Sequence, residues 1–357
     1  MAQLKYEGYC ECTPTKLVRE KFGDVNVYVQ NAKSLLTKAT GFIGNYDFTL
    51  NPYRGCQYGC SYCYAAAFSP NAQMRQDWGK WVIFKENAAE ILAKELKKWY
   101  EKNPQLPPII YMSSVTDPYQ PLESKHQLTR RLLDVMLDVR IDGYPTPTLV
   151  IQTRSPIITR DIDYLQRFKR LRINMSIPTG SELVRKDFEP RSPSIKARLN
   201  AITKIKQSID YFKGFLPKIS ITITPLLPTL PTDEATFIDK LAIADRVVIQ
   251  AFHPNHSRSL IASTRQEAEE IKQKYAWWYE DEKLSYMKFK EKLVSRLPGV
   301  EIMEGKEGFG YEESYRKLVA KSAVKIIFKT RRYPTCSATI ARDSKIRCNI
   351  LMVRKTI

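Results

Sequence analysis

The segment Asn51-Pro-Tyr-Arg-Gly-Cys56-Gln-Tyr-Gly-Cys60-Ser-Tyr-Cys63-Tyr64 puts three cysteines into a Cys-x3-Cys-x2-Cys spacing. Four thiolates would close a tetrahedral zinc site or fill a cubic iron–sulfur cluster. Three leave one iron of a [4Fe–4S] cluster without a protein ligand, and an open iron is where a substrate or cofactor binds. The competing reading is a zinc site with its fourth ligand at Cys10, Cys12, Cys336, Cys348 or a histidine. Zinc sites usually pair their cysteines as Cys-x2-Cys twice, and the sequence holds no second such pair.

On either side of this loop, apolar runs alternate with helical patterns. Strands are expected at 48–50, 109–113, 148–153, 172–177, 218–224 and 246–252. Between them, Ala88, Leu92, Leu96 and Trp99 share one helix face, and Leu128, Leu132, Val135 and Val139 share another. Ser124 with Gln127 reads as a capping box for the second of these helices. Further helices are expected from about Asp161, over 195–212 and near 233–242. Strand–helix–strand alternation implies parallel strands joined by right-handed crossovers. Six strands are too few for a closed eight-stranded barrel, so the expected class is α/β, a partial, open six-stranded parallel (β/α)6 barrel with a helical, basic C-terminal extension.

Three regions follow: an irregular lead-in over 1–45, the barrel over 46–256, and a helical basic region over 257–357. The last region shows a second capping box, Ser263 to Gln266, and Lys317, Lys321, Lys325 and Lys329 at four-residue spacing.

The 357 residues, 43% of them hydrophobic, suffice for a large core. No run approaches the roughly 18 apolar residues of a membrane span, so no membrane partner is expected. The N-terminal Met-Ala-Gln-Leu-Lys-Tyr-Glu lacks the apolar core of a secretory signal. Seven cysteines, three of them in one loop, argue against a disulfide framework and for the reducing cytoplasm. The net charge of +19 is uneven. The last 42 residues, from Arg316 onward, carry twelve cations against the single acid Asp343. Such an asymmetry is an electrostatic footprint for a polyanion, here nucleic acid; a solvated basic face is the bland alternative.

The cysteine spacing, with the aromatic Tyr62 just before the third cysteine, resembles the signature of the radical S-adenosylmethionine (SAM) enzymes. Thr116-Asp-Pro-Tyr-Gln-Pro-x-Glu123, Thr159-Arg-Asp-Ile-Asp163 and Glu189-Pro-x-x-Pro193 with Arg198 sharpen this. Together they are similar to one branch, the spore photoproduct lyase-like or "DNA repair photolyase-like" proteins, over about residues 45–230. The chain lacks the Gly-Gly-Glu-type segment of the wider superfamily.

The resemblance implies a six-stranded open barrel and a [4Fe–4S] cluster on Cys56, Cys60 and Cys63. The open iron would chelate the SAM amino and carboxylate groups. Reductive cleavage would then give methionine and a 5′-deoxyadenosyl radical that abstracts hydrogen from a substrate. DNA or RNA is the substrate expected from the branch and the basic tail. An electron donor such as flavodoxin or ferredoxin is also implied. By position, Asp117 and Glu123 are candidates for the SAM amine, Ser176 for the ribose or carboxylate and Arg198 for the carboxylate; Tyr62 would lie by the cluster and adenine, as would Tyr64. Each has a plainer role open to it: a turn cap at Asp117, a strand-end hydrogen bond at Ser176, a surface cation at Arg198. Spore photoproduct lyase uses a cysteine outside the cluster as hydrogen donor. Cys336 and Cys348 are the candidates here, though the resemblance ends before them and free structural thiols are the plainer reading. His253 and His256 are candidates for substrate contact or plain turn residues. Modification of a protein or small metabolite, and a non-catalytic nucleic-acid-binding protein with a structural cluster or zinc, are the alternatives.

Overall fold

The chain opens with a hairpin of β1 (Lys16–Phe22) and β2 (Val25–Gln30). The short strands β3 (Leu36–Lys38), β4 (Phe48–Leu50) and β5 (Tyr53–Arg54) lead into the cysteine loop, and β6 (Trp81–Lys85) follows it. Then come β7 (Ile109–Met112), β8 (Thr148–Thr153), β9 (Leu171–Ser176), β10 (Lys218–Ile223), β11 (Arg246–Ile249) and β12 (Glu301–Glu304). The computed structural model describes residues 16–208, 214–252 and 265–311, all within one compact unit that ends at Tyr311.

The main sheet has the order β12-β11-β10-β9-β8-β7-β4-β3. β4 and β7 to β12 run parallel, and β3 is antiparallel on the β4 edge. The edge strands β12 and β3 do not pair, so the sheet is mixed and open. A smaller sheet, β1-β2-β6-β5, stands beside the cysteine loop.

Four sequence expectations need correction. The described part of the lead-in, 16–45, is not irregular: β2 and β3 already belong to the two sheets, Val25 and Val27 being buried. The region beyond 256 is not purely helical, because Glu301–Glu304 adds a parallel strand to β11. The capping box at Ser124 does not form: Ser124 Oγ donates to the Pro121 carbonyl, and Gln127 takes a left-handed conformation (φ +48°) between the short helix Glu123–His126 and the helix Leu128–Asp138. The Glu123 carboxylate caps that second helix instead, accepting from the Thr129 and Arg130 amides at 3.0 and 3.3 Å. The helix expected from Asp161 is a 3-10 turn, Pro156–Asp161, running into the four-residue helix Ile162–Leu165. The Ser263 capping box and the lysine-rich helix lie outside the described residues.

The two faces of the main sheet differ. Leu149, Ile151, Leu171, Ile173, Met175, Ile219, Ile221, Ile223, Val247 and Ile249 share one core with the crossover helices Ala88–Lys102, Leu128–Asp138, Ile195–Ser208 and Pro231–Leu241. At roughly 1.5–3 kcal/mol per buried aliphatic side chain, this face is the main source of stability. The alternate positions on β9, β10 and β11 include Arg172, Asn174, Ser176, Ser220, Thr222 and Arg246, and all of them are buried. One end of this polar face is covered by residues 305–311. There Arg246 Nη1 donates to the Gly308 and Gly310 carbonyls, Arg172 Nη2 to the Tyr311 carbonyl, and Phe309 packs with Tyr46, Tyr111, Val150 and Val248.

Gly55, immediately before Cys56, lies at φ +83°, and a Cβ there would come within 2.7 Å of the Trp81 ring and carbonyl. Left-handed backbone and overpacking together predict that Gly55→Ala costs about 2–4 kcal/mol. A chemical-denaturation midpoint equal to wild type would show that Trp81 yields without cost.

Candidate active site

The C-terminal ends of β4, β7, β8 and β9 lie side by side, which is where parallel α/β sheets build their sites. The cysteine loop follows β4 and β5 and is stitched to the loop after β7. Gln57 Oε1 accepts from the Leu122 amide at 2.6 Å, and Gln120 Oε1 accepts from the Gln57 amide at 2.9 Å. Thr116 Oγ1 donates to the Gly55 carbonyl at 2.6 Å, and the Asn51 Oδ1 accepts from the Val115 amide at 3.1 Å. Polar residues concentrated after a strand end therefore serve first to fix the loop that bears the thiols.

Cys56 and Cys60 are buried and Cys63 is half-buried. Burial raises all three thiols, Cys60 to about 12, and for Cys56 the negative charge of Asp117 and of the other two cysteines adds to it. Three thiolates here therefore call for cationic partners. One is built in: Arg154, after β8, places Nη1 2.8 Å from Cys60 Sγ. The same nitrogen donates to Tyr62 Oη at 3.2 Å and pairs with Glu189 Oε1. The Tyr62 hydroxyl also donates to that carboxylate, and Arg198 Nη2 closes on Glu189 Oε2 at 2.5 Å. Glu189 and Arg198 are both fully buried. Burial pushes the Glu189 carboxyl up, but the guanidiniums of Arg154 and Arg198 and the Tyr62 hydroxyl outweigh it and hold it below the ordinary carboxylate range.

This network draws together several residues expected from sequence. Arg198 is no surface cation: besides Glu189 it donates Nη1 to the Ser176 carbonyl at 2.9 Å and Nε to the Pro193 carbonyl at 3.0 Å. Asp117 is buried, accepts from Thr153 Oγ1 at 2.7 Å and the Tyr119 and Arg154 amides at 2.9 Å, and is raised by burial. Tyr62 stands edge-on to Phe252, ring centroids 5.9 Å apart, whereas Tyr64 is partly exposed and donates to the Ser114 carbonyl. Glu123 lies in a different set: its partners are Tyr53, Arg160 at 2.8 Å and the helix amides named above, so its carboxylate is engaged as a strut. Arg154 and Glu189 stand at the centre of the site, and the sequence signal for both was their place just after a strand end or within the Glu-Pro-x-x-Pro run. Cys10, Cys12, Cys336, Cys348, His253, His256 and the basic tail lie outside the described residues.

Among the described residues, no three His, Cys, Asp or Glu side chains are grouped as the ligands of a single metal ion. The donor set suits a cluster: three thiols on one loop, each able to take a different iron, with no other cysteine among the described residues.

The radical SAM superfamily model matches residues 50–241, more than half of the chain, and the chain belongs to that superfamily. It is therefore an enzyme of the class that works with a [4Fe–4S] cluster and SAM. An uncharacterized protein of Methanocaldococcus jannaschii is 34% identical over 183 residues, 51% of this chain and 61% of that one. An uncharacterized protein of Mycobacterium tuberculosis is 26% identical over 234 residues, 62% of each. The matches thus span about three fifths of these relatives' length. Among solved structures, a spore photoproduct lyase variant with bound AdoMet and dinucleoside spore photoproduct superposes with a TM-score of 0.51 at 15% identity, covering 77% of this chain and 81% of that one. Another variant of the same enzyme gives 0.50. At that identity the likeness is one of fold.

Proposed function

We propose that Cys56, Cys60 and Cys63 hold the cluster, and that the enzyme acts on DNA or RNA. The observation carrying the first part is the placement of three thiols, two buried and one half-buried, on one loop at the C-terminal end of a parallel sheet, with Arg154 against Cys60. When bound, the cluster and SAM supply an electron and a 5′-deoxyadenosyl radical that takes hydrogen from the substrate. Cys56, Cys60 and Cys63 would hold the cluster through their thiolates, with no fourth cysteine among the described residues to complete the set. Arg154 is placed to hold negative charge there, either the Cys60 thiolate or the SAM carboxylate, because Glu189 and Arg198 clamp it from behind. Asp117 and Ser176 border the same space, and Tyr62 supplies an aromatic edge.

The sheet is read as a partial barrel around this chamber, with all of its parallel strands but β12 lying within the domain 46–256. The electron comes from a small donor such as flavodoxin or ferredoxin, which suits a reducing cytoplasm. Among the described residues no helix is long and apolar enough to cross a membrane.

The nucleic-acid part rests on the twelve cations from Arg316 onward and on the branch resemblance. The test is oligonucleotide binding at two salt concentrations, with SAM cleavage followed in parallel. Binding through six to ten phosphates loses about 10³–10⁵ in affinity between roughly 50 and 200 mM salt. That loss, with SAM cleavage stimulated by the oligonucleotide, supports the reading. Salt-insensitive binding without stimulation would transfer the substrate to a protein or small metabolite.

A further inference from the structure

The polar face of the main sheet is almost fully satisfied from within. Gln152 Nε2 donates to Thr222 Oγ1 at 2.9 Å, the Tyr111 hydroxyl donates to Gln152 Oε1 at 3.1 Å, and Arg172 Nη1 donates to Ser220 Oγ at 2.8 Å. Asn174 is the residue whose whole side-chain amide is left over, along with the Nε of Arg172. It pairs in register with Gln152 on β8 and Ser220 on β10, and is only 1% exposed. Neither its Nδ2 nor its Oδ1 has a hydrogen-bond partner. The Tyr111 hydroxyl donates to Gln152 and its lone pair reaches at most one Asn174 N–H, so Oδ1 and the other N–H stay open. Buried side-chain amides are nearly always bonded, so an orphaned one calls for a ligand or a water.

The position says which. Asn174 lies two residues before Ser176, whose carbonyl is held by Arg198, so it sits about 7 Å down the strand from Ser176. Below it the face is closed off by Arg172 and residues 305–311. Ser113, at the end of β7, has a left-handed backbone (φ +74°) and a buried hydroxyl that is also unpartnered. Strained, non-glycine backbone and unsatisfied polar groups together mark ligand-binding positions.

We infer that the Asn174 amide is a specificity-determining contact that reads the hydrogen-bonding edge of a nucleobase brought to the thiol site. One amide offers a donor and an acceptor in one plane, and the matching group carries an acceptor and a donor side by side on one edge. Nucleobase edges have that form, and asparagine reads them in this bidentate way. A base reaching this depth must leave its stack, as in other enzymes that act on bases. The inference rests on the nucleic-acid reading above and names the residue that selects within it. A trans peptide amide points its N–H and C=O to opposite sides and cannot meet both atoms of the Asn174 amide at once.

The experiment measures binding of uridine, 3-methyluridine, adenosine, N6,N6-dimethyladenosine and N-methylacetamide to the full-length, cluster-reconstituted protein with SAM. In wild type, one plain nucleoside should bind about tenfold or more tightly than its edge-methylated counterpart. Asn174→Leu should erase that difference, and Asn174→Gln should restore part of it. A wild-type protein that binds no nucleoside, or does not discriminate, overturns the inference. So does discrimination that survives in Asn174→Leu with only the melting temperature lowered, which would assign the amide to a structural water. N-methylacetamide competing as well as the nucleosides would transfer the site to a peptide and also overturn it. Salt-dependent oligonucleotide binding is read separately, so its failure would sink the nucleic-acid reading without being confused with a failure at Asn174.

Discussion

Cys60→Ala yields a protein that, after anaerobic reconstitution, lacks the broad visible absorption of an iron–sulfur cluster and holds far fewer than the about four irons per chain expected of wild type. Cys60 has no substitute among the described residues, which contain just Cys56, Cys60 and Cys63 as cysteines. Changes to the partners of metal ligands alone usually cost about 10–100-fold in metal affinity or activity, so losing a ligand should exceed about 100-fold in SAM cleavage. The fold should tolerate the change, because alanine fits the space of a small buried thiol. An intact circular-dichroism spectrum beside lost iron would separate a missing ligand from a misfolded loop. Full iron content in Cys60→Ala would remove this cysteine from the cluster.

Glu189→Ala is expected to be the most destabilising change at the site, by about 3–5 kcal/mol, because it leaves the buried guanidinium of Arg198 and that of Arg154 without their carboxylate. Against a total stability of about 5–15 kcal/mol, that threatens folding outright. Glu189→Gln keeps the shape and is the more informative variant. The folded-state pKa of Glu189 is depressed, so its contribution is present above the unfolded carboxylate pKa of about 4.3 and is lost as pH falls through the lower folded value. The stability gap between wild type and Glu189→Gln, measured by urea denaturation, should be full at pH 7 and shrink below about pH 4. A gap independent of pH down to the acid limit would mean that the carboxylate charge is not what the two arginines require.

The strands were legible where side chains are aliphatic on one face and the run is bounded by polar turns, as at Thr148–Thr153 and Lys218–Ile223. Edge strands were not. Glu301–Glu304 has two acids and only one β-branched residue, and it is a strand because β11 offers it an unpaired edge. Val25–Gln30 carries the alternation, but its partner β6 lies about fifty residues on, beyond the cysteine loop. The capping box at Ser124 failed because Glu123, one residue earlier, reaches the helix amides across a left-handed turn.

At the site, the thiols were legible because their spacing is local. The pairing of Arg154 with Glu189 was not, since one follows β8 and the other follows the helix Glu182–Phe188, and they meet only in the fold. The role of Asn174 needed the whole sheet: alternation puts it on the polar face with Arg172 and Ser176, but only the pairing of every neighbour reveals that its amide is left over.

The central claim is that this chain runs radical SAM chemistry on the cysteine loop. Its most direct measurement is 5′-deoxyadenosine released from SAM by the anaerobically reconstituted full-length protein under dithionite. The account predicts product from wild type and none above background from Cys56→Ala, Cys60→Ala or Cys63→Ala. Equal product from the cysteine variants, or a colourless zinc-bound wild type that does not bind SAM, would contradict it.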